Sequence, residues 1–585
     1  MTRRIIKNLF LLCLIPSAVL PQNISEIEVI GNKIFSEQKF INWSGLSRNS
    51  EFSEILIDSA ASAISQNLMN NGFVYSGINS SFNISPDSES VKIIFDVDEG
   101  KQLFIKSIFL HQISGKDSLE IFKNFEFLIS SKFNKIEIER GIEQSLDYLE
   151  NNGFPFARID VTSILLKNNS LDKIFAELHL SVDEKNKSKI DKIEVTGNKK
   201  TKDFVVFRNV EIQPGEDYRQ EKIEEIPRRL NKLRFFEPIE IPSYFFNSDK
   251  EGILAIRVKE INTNNFDGII GYIPDTREGG GYLTGLINVS LRNILGTGRA
   301  AAIRWEQENR NSQELELKYL EPWIFGFPVN ISGGLFQRKQ DTTYVKRELD
   351  GGVEVIASGD ISATFLVGTS STIPTENADD RFSVFNSTSY STGISLTIDT
   401  RDDFYAPRGG LFFMNSYKFS RKKIKGPSRF INSDTKTSIN LQQLEVDFNM
   451  FYELFRRQII ALGIHGKELQ GNRFEISDLF RLGGTNTLRG FRENQFLGNR
   501  IFWTNLEYRL LLAPRSFMFL FYDTGYFLRN EDETQNIPEV SGFNTGYGFG
   551  LNIQTGIGIL RVSYAIPAGD PLNEGKIHFG ILNEF

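Results

Sequence analysis

The sequence predicts an array of α+β repeats followed by an all-β transmembrane barrel of about 16 antiparallel strands. Three observations carry that reading. Glycine is unevenly spread: of 47 in the chain, 11 fall in residues 1–262 and 36 in residues 263–585. The first part repeats itself at an interval of 81 residues. The second part alternates apolar and polar residues on the two-residue period of a sheet with one apolar face. The 585 residues exceed one ordinary domain, so several folding units are expected.

The first 22 residues read as a secretory signal peptide. Arg3, Arg4 and Lys7 precede an apolar run from Leu9 to Leu20, too short for a spanning helix. The single cysteine, Cys13, lies inside this run and is preceded by Phe10-Leu11-Leu12, not by the small residue a lipid-attachment site requires. The exported chain is therefore expected to lack cysteine, which excludes thiolate metal sites, disulfides and cysteine nucleophiles. No later stretch has the roughly 18 uninterrupted apolar residues of a membrane helix. Entry into a membrane after export then requires a closed barrel.

Residues 23–262 divide into three units, 23–100, 101–184 and 185–262. Leu68-Met69-Asn70-Asn71-Gly72-Phe73 returns as Leu149-Glu150-Asn151-Asn152-Gly153-Phe154, and Leu230 and Phe235 hold the same apolar positions in the third copy. The opening Ile27-Glu28-Val29-Ile30-Gly31-Asn32-Lys33 matches Ile193-Glu194-Val195-Thr196-Gly197-Asn198-Lys199. Each unit is expected to run strand, short helix, longer helix, then two strands. Ile57, Ala60, Ala61, Ile64 and Leu68 form one helical stripe for packing on a sheet. The Asn-Gly pair ends that helix, and Val91 to Val97 alternates toward a sheet edge. Such units serve either as spacers or as receptors that capture an extended peptide by strand addition.

Beyond residue 262 the alternation is clearest near the chain end. Ile577, Phe579, Ile581 and Phe585 face one side, and Lys576, His578, Gly580 and Glu584 the other. In 501–512, Phe502, Leu506, Tyr508, Leu510 and Leu512 oppose Trp503, Asn505, Glu507 and Arg509. Leu551 and Ile553 oppose Gly550, Asn552 and Gln554, and a tight turn is expected near Gly556.

One stretch breaks the pattern. Residues 481–500, RLGGTNTLRGFRENQFLGNR, carry Arg481, Arg489, Arg492 and Arg500 among glycines. Arg489 on a lipid-facing strand would cost roughly 2–4 kcal/mol, so the stretch is expected to fold into the polar lumen. Glu507 and Asp523 both lie on inward parity and are candidate partners that would pin the loop to the wall. The alternative is an ordinary solvated loop arginine.

Leu488-Arg489-Gly490-Phe491 resembles the arginine-glycine-aromatic signature of the BamA/TamA family of outer-membrane assembly factors, and the upstream units resemble its POTRA domains. Leu295 to Arg299, Glu321-Pro322-Trp323, Asp399 to Asp403 with Pro407 to Gly410, and Phe521 to Gly525 add similarities in the same order. The resemblance spans nearly all of the exported chain. It implies an inward-folded loop whose Arg489 contacts Glu507 and Asp523, and a barrel in the outer membrane with its N-terminal domains in the periplasm. It further implies that unfolded outer-membrane proteins are the clients, that the barrel's first and last strands part to template their insertion, and that no cofactor is needed. Outer-membrane lipid is then a partner, with accessory lipoproteins or an inner-membrane protein as further ones. A two-partner-secretion transporter, exporting one dedicated client through the lumen, is the alternative; that family usually has two POTRA domains and an N-terminal plug helix.

Other chemistry finds little support in the sequence. The net charge of −7 and the lack of a long basic run argue against nucleic acid. His111, His179, His465 and His578 show no metal-ligand spacing, and no nucleophile elbow or phosphate loop occurs. No catalytic, cofactor or metal residue is therefore assigned, and His578 reads as structural. The run Arg421-Lys422-Lys423 with Lys425 reads as a solvated loop, with contact to anionic lipid headgroups as the other reading.

Overall fold

The computed structural model describes residues 22–86, 90–168, 173–274, 281–307, 309–375, 384–431, 435–531, 538–555 and 558–582. The expected signal peptide, the turn near Gly556, and Glu584 and Phe585 lie outside the described residues. The chain forms two compact units. One runs to Ile190 and takes in Gly215–Glu221; the other comprises Asp191–Pro214 and Lys222–Phe585.

The first compact unit contains two α+β modules. In the first, β1 (Asn23–Ile30) leads to α1 (Glu37–Ser44), α2 (Glu54–Asn70), β2 (Gly77–Ile84) and β3 (Ser90–Asp98). The second repeats the order with β4 (Gln102–His111), α3 (Gly115–Glu126), α4 (Lys135–Asn151), β5 (Arg158–Asn168) and β6 (Lys173–Asp183). The stripe Ile57, Ala60, Ile64 and Leu68 is buried against Val91, Ile93, Phe95 and Val97. Ser53 caps α2 by accepting from the Leu56 N–H, and Asn134 caps α4 by accepting from Ile136. Gly72 then takes a φ of +89°, which lets the chain leave the helix.

The expectation that Val91–Val97 lies toward a sheet edge is not met. β3 is the central strand, parallel to β1 and antiparallel to β2. Its alternation arises because helices cover only one face of the sheet. The edges are β1 and β2.

The repeated Gly-Asn-Lys openings share a device. The carboxylate of buried Glu99 accepts from the backbone N–H groups of Lys33, Ile34 and Phe35. Glu260 does the same for Lys200 and Thr201. In each case a distant carboxylate satisfies a loop whose amides have no strand partner.

The second compact unit holds the third module apart from Gly215–Glu221: β7 (Lys192–Thr196), α5 (Asp203–Val210), most of α6 (Gln220–Lys232), β8 (Ser243–Phe246) and β9 (Gly252–Arg257). Here too the last strand is central, with β7 parallel and β8 antiparallel to it. A 16-stranded antiparallel sheet follows among the described residues, from β10 (Asn265–Ile273) to β25 (Lys576–Leu582). Each strand pairs with its sequence neighbour throughout. Among the described residues no ladder joins β10 to β25. No described helix is long and apolar enough to cross a membrane.

Alternation places Phe502, Leu506, Met518, Leu520, Tyr522, Ile577 and Phe579 on the exposed outer face and Trp503, Glu507, Asp523 and His578 inside. The short turns at 295–298, 357–360, 456–457 and 514–515 lie at one end of the strands, and the longest connection, 472–499, at the other. The third module docks on the short-turn end. Arg228 and Lys232 of α6 each place a nitrogen 2.6 Å from Asp360, and Lys232 also donates to the Gly359 carbonyl. Asn293 donates to the Thr201 hydroxyl, and the Lys202 N–H to the Gly296 carbonyl.

The basic run at 421–425 is not a loop. It forms the far end of β18 (Gly410–Gly426), where Lys422 points inward and is buried while Arg421, Lys423 and Lys425 are exposed. Strand pairing extends well past the lipid-facing part of β18, which is why composition alone suggested a loop.

Candidate functional site

The longest described connection, residues 472–499, links β20 (Gln458–Gly471) to β21 (Arg500–Ala513). It contains a small hairpin, Phe480–Leu482 paired with Phe496–Gly498. Between the two arms the chain turns inward and reaches Asp523 on β22 (Ser516–Arg529). Asp523 lies six residues from that strand's loop end, so the tip descends roughly 20 Å along the wall.

Arg489 occupies the tip and is 2% exposed. Its Nε and Nη2 donate to the two oxygens of Asp523, both at 2.7 Å, and its backbone N–H adds a third bond at 3.1 Å. Nη1 donates to Glu507 at 2.7 Å. One planar fork thus holds two carboxylates, a geometry that a lysine ammonium cannot copy. The guanidinium carbon also stands 3.7 Å from the Phe521 ring centroid.

Glu507 has two further cations. Arg509 bonds its second oxygen at 2.8 Å, and Arg561, on β24 (Gly558–Pro567), reaches the oxygen shared with Arg489. The guanidinium groups lie over successive rings of β22: Arg489 nearest Phe521 and also over Phe519, Arg561 on Phe519 and Arg509 on Phe517. Three cations against Glu507 and Asp523 leave the cluster one positive charge in excess (3 − 2).

The neighbouring loop residues complete the attachment. Gly490 donates its N–H to His578 Nε2 at 3.0 Å, and its carbonyl accepts from Lys576 at 2.7 Å, both on the last strand. The His578 ring must carry its proton elsewhere to accept this bond. Gly490 has a φ of +95°, and a Cβ there would meet the backbone of Ile566 and Pro567 near 3.1 Å. On β23 (Val540–Thr555), a Cβ at Gly546 would lie 2.0 Å from the Arg489 carbonyl oxygen. Both positions must be glycine for the loop to lie this close. Leu488 is fully buried with Leu482, Ile501 and Trp503, and Phe491 packs on Phe496 at 5.4 Å.

A second anchor holds the root of the loop. Lys422 Nζ lies 2.6 Å from both Glu475 and Asp478, and Lys346 donates to the Ser477 carbonyl. Arg481 donates to Gln340, whereas Arg492 is exposed and Arg500 pairs with Glu468.

The Omp85 superfamily domain matches residues 293–585, and the POTRA repeat (surface antigen variable number repeat) matches residues 22–100 and 188–260. The chain belongs to the Omp85 superfamily. It is 23% identical over 597 residues to the outer membrane protein assembly factor BamA of Nitratidesulfovibrio vulgaris, covering 95% of this chain and 70% of that protein. It is 23% identical over 347 residues to BamA of Neisseria meningitidis serogroup B, covering 55% of this chain and 41% of that one. Among solved structures it is similar to Haemophilus ducreyi BamA lacking POTRA domains 1–3, at 18% identity and a TM-score of 0.45, covering 82% and 98% of the two chains. This Omp85-superfamily barrel resides in the outer membrane, with its POTRA domains in the periplasm.

Of the residues singled out in the sequence, Leu488, Arg489, Gly490, Phe491, Glu507 and Asp523 all converge on one site. Sequence reasoning missed Arg561, Lys576 and the phenylalanine ladder, and assigned His578 no contact with the loop. Inward parity alone could have nominated Arg561, which follows Leu560 on a strand of the same alternation.

Proposed function

We propose that this chain assembles proteins into the outer membrane. The carrying observation is that the loop tip is bonded to His578 and Lys576 of β25, the very strand that has no ladder to β10 among the described residues. The latch and the barrel's seam therefore share a strand. The three modules, at 23–100, 101–184 and 185–262, receive unfolded outer-membrane polypeptide along their β2-type edges, since loop backbone already bonds part of the β1-type edges of the first two. The seam between β10 and β25 then templates the client's strands.

On this reading the protein works without catalytic groups, cofactor or metal, because burial of the client's lipid-facing apolar surface drives insertion. Leu488 and Phe491 seat the latch, and Arg489, Glu507 and Asp523 fix its charge contacts. Accessory lipoproteins or an inner-membrane protein are the partners this arrangement would take. Depletion of the protein followed by quantification of the outer-membrane proteome tests the proposal. Broad loss of barrel proteins is expected; loss of one secreted protein alone would point instead to a dedicated transporter.

A further inference from the structure

The outer end of β18 sorts its cations. Its outward positions read Leu411, Phe413, Asn415, Tyr417 and Phe419, then Arg421, Lys423 and Lys425. Tyr417 and Phe419 are each about 40% exposed, as lipid-facing residues should be. The inward positions between the cations, Lys422 and Ile424, are buried. Lys422 is held within the protein by Glu475 and Asp478. Among the described residues, no carboxylate pairs with Arg421, Lys423 or Lys425.

Strand length sets the depth of these side chains. Leu411 to Phe419 at about 3.3 Å per residue and a tilt of some 40° spans roughly 20 Å, most of an apolar band about 25 Å tall. Arg421 then stands roughly 5 Å beyond Phe419, and Lys423 roughly 10 Å beyond, at the level of headgroups rather than hydrocarbon. The neighbours on this face are uncharged. Tyr390 and Asn440 flank Arg421, and Thr388 and Ser438 flank Lys423. Ser438 Oγ accepts from Arg421 Nε at 3.2 Å, which orients the guanidinium along the face. Tyr390, 63% exposed, supplies the aromatic girdle expected at an interface.

We propose that Arg421, Lys423 and Lys425 form a headgroup site for a lipid of the outer leaflet whose phosphate gives it a net negative charge. Three cations at alternate positions, with no counter-charge among the described residues and an apolar wall directly below, fit a ligand that carries phosphate above and acyl chains beneath. The proposal needs only the membrane setting of the barrel and is independent of what the protein assembles.

The test uses the full chain purified in a zwitterionic detergent, with bound lipids counted by native mass spectrometry during titration. The probes are phosphatidylglycerol, phosphatidylcholine and inorganic phosphate. The parent should bind phosphatidylglycerol preferentially, and each Arg421→Gln, Lys423→Gln or Lys425→Gln change should weaken that binding about fivefold. The triple variant should lose the preference, while the Lys423→Arg/Lys425→Arg variant should keep it. Lys422 stays unchanged in every variant, and a retained heat-dependent shift in gel mobility shows that the barrel is intact. Equal binding of phosphatidylglycerol by parent and triple variant overturns the site. So does a parent that binds the two lipids alike. Inorganic phosphate binding as tightly as phosphatidylglycerol would show a phosphate site and overturn the lipid assignment.

Discussion

Arg489 engages all three of its guanidinium nitrogens with carboxylates of the barrel wall, so its replacements should separate charge from geometry. Arg489→Ala strands Asp523, which has no other cation within bonding distance among the described residues, whereas Glu507 keeps Arg509 and Arg561. Removing one partner of a buried pair costs on the order of 3–5 kcal/mol, less where water enters the lumen. The expected outcome is a protease-accessible 481–500 segment in an intact barrel. Arg489→Lys should rescue in part, and exposed Arg492→Ala should behave like the parent. Asp523→Asn should free the loop more than Glu507→Gln, because Asp523 accepts three bonds from Arg489 and Glu507 one; equal accessibility of the loop in all variants would refute the latch. At this scale much was legible in the sequence. Strand parity put Glu507 and Asp523 inside, and an arginine folded into the lumen needed carboxylates. The stacking on Phe517, Phe519 and Phe521 was not legible, because Arg561 comes from a strand over 70 residues downstream of Arg489 (561 − 489 = 72).

Among the elements, α6 and the turn at 357–360 form a joint whose strength should depend on pH. Asp360 loses solvation at the joint, which alone would raise its pKa, but Arg228 and Lys232 more than offset this and hold it below the usual carboxylate value. A depressed folded pKa means that the stabilisation is present at neutral pH and fades as pH falls through that lowered value. Limited proteolysis of residues 222–262 should therefore speed up on acidification below the carboxylate range. Asp360→Asn should already be fast at pH 7 and show a flatter profile. Deleting residues 23–100 removes a complete sheet with its own core, so the remaining barrel should insert while client assembly drops; full assembly by that truncation would remove the case for strand capture by the first module. The repeat order was readable because the 81-residue period marks equivalent helix ends. Which strand is central was not readable, since a strand covered on one face alternates equally at an edge and in the middle.

For the whole molecule, a 16-stranded sheet in detergent should resist unfolding until boiled. Unboiled and boiled samples are expected to migrate differently, and identical mobility with largely helical circular dichroism would contradict the fold. The shift in glycine usage near residue 262 signalled the change from modules to barrel. It could not signal that the third module docks on the barrel's turns, because Arg228, Lys232 and Asp360 meet only after both have folded.

The loop is tied at its root to β18 and at its tip to β25, so it joins opposite sides of the lumen. Two sites connected in this way are bound by thermodynamic reciprocity. If displacement of the last strand weakens the seat of the tip, then loosening the tip must ease displacement of that strand by the same factor. Arg492, close to the tip, is exposed. An antibody or other ligand that prefers the seated loop would thereby hold the seam shut, and one that prefers the released loop would favour its opening. A ligand on the loop would in this way govern the last strand from the other end of the same segment, by reciprocity alone.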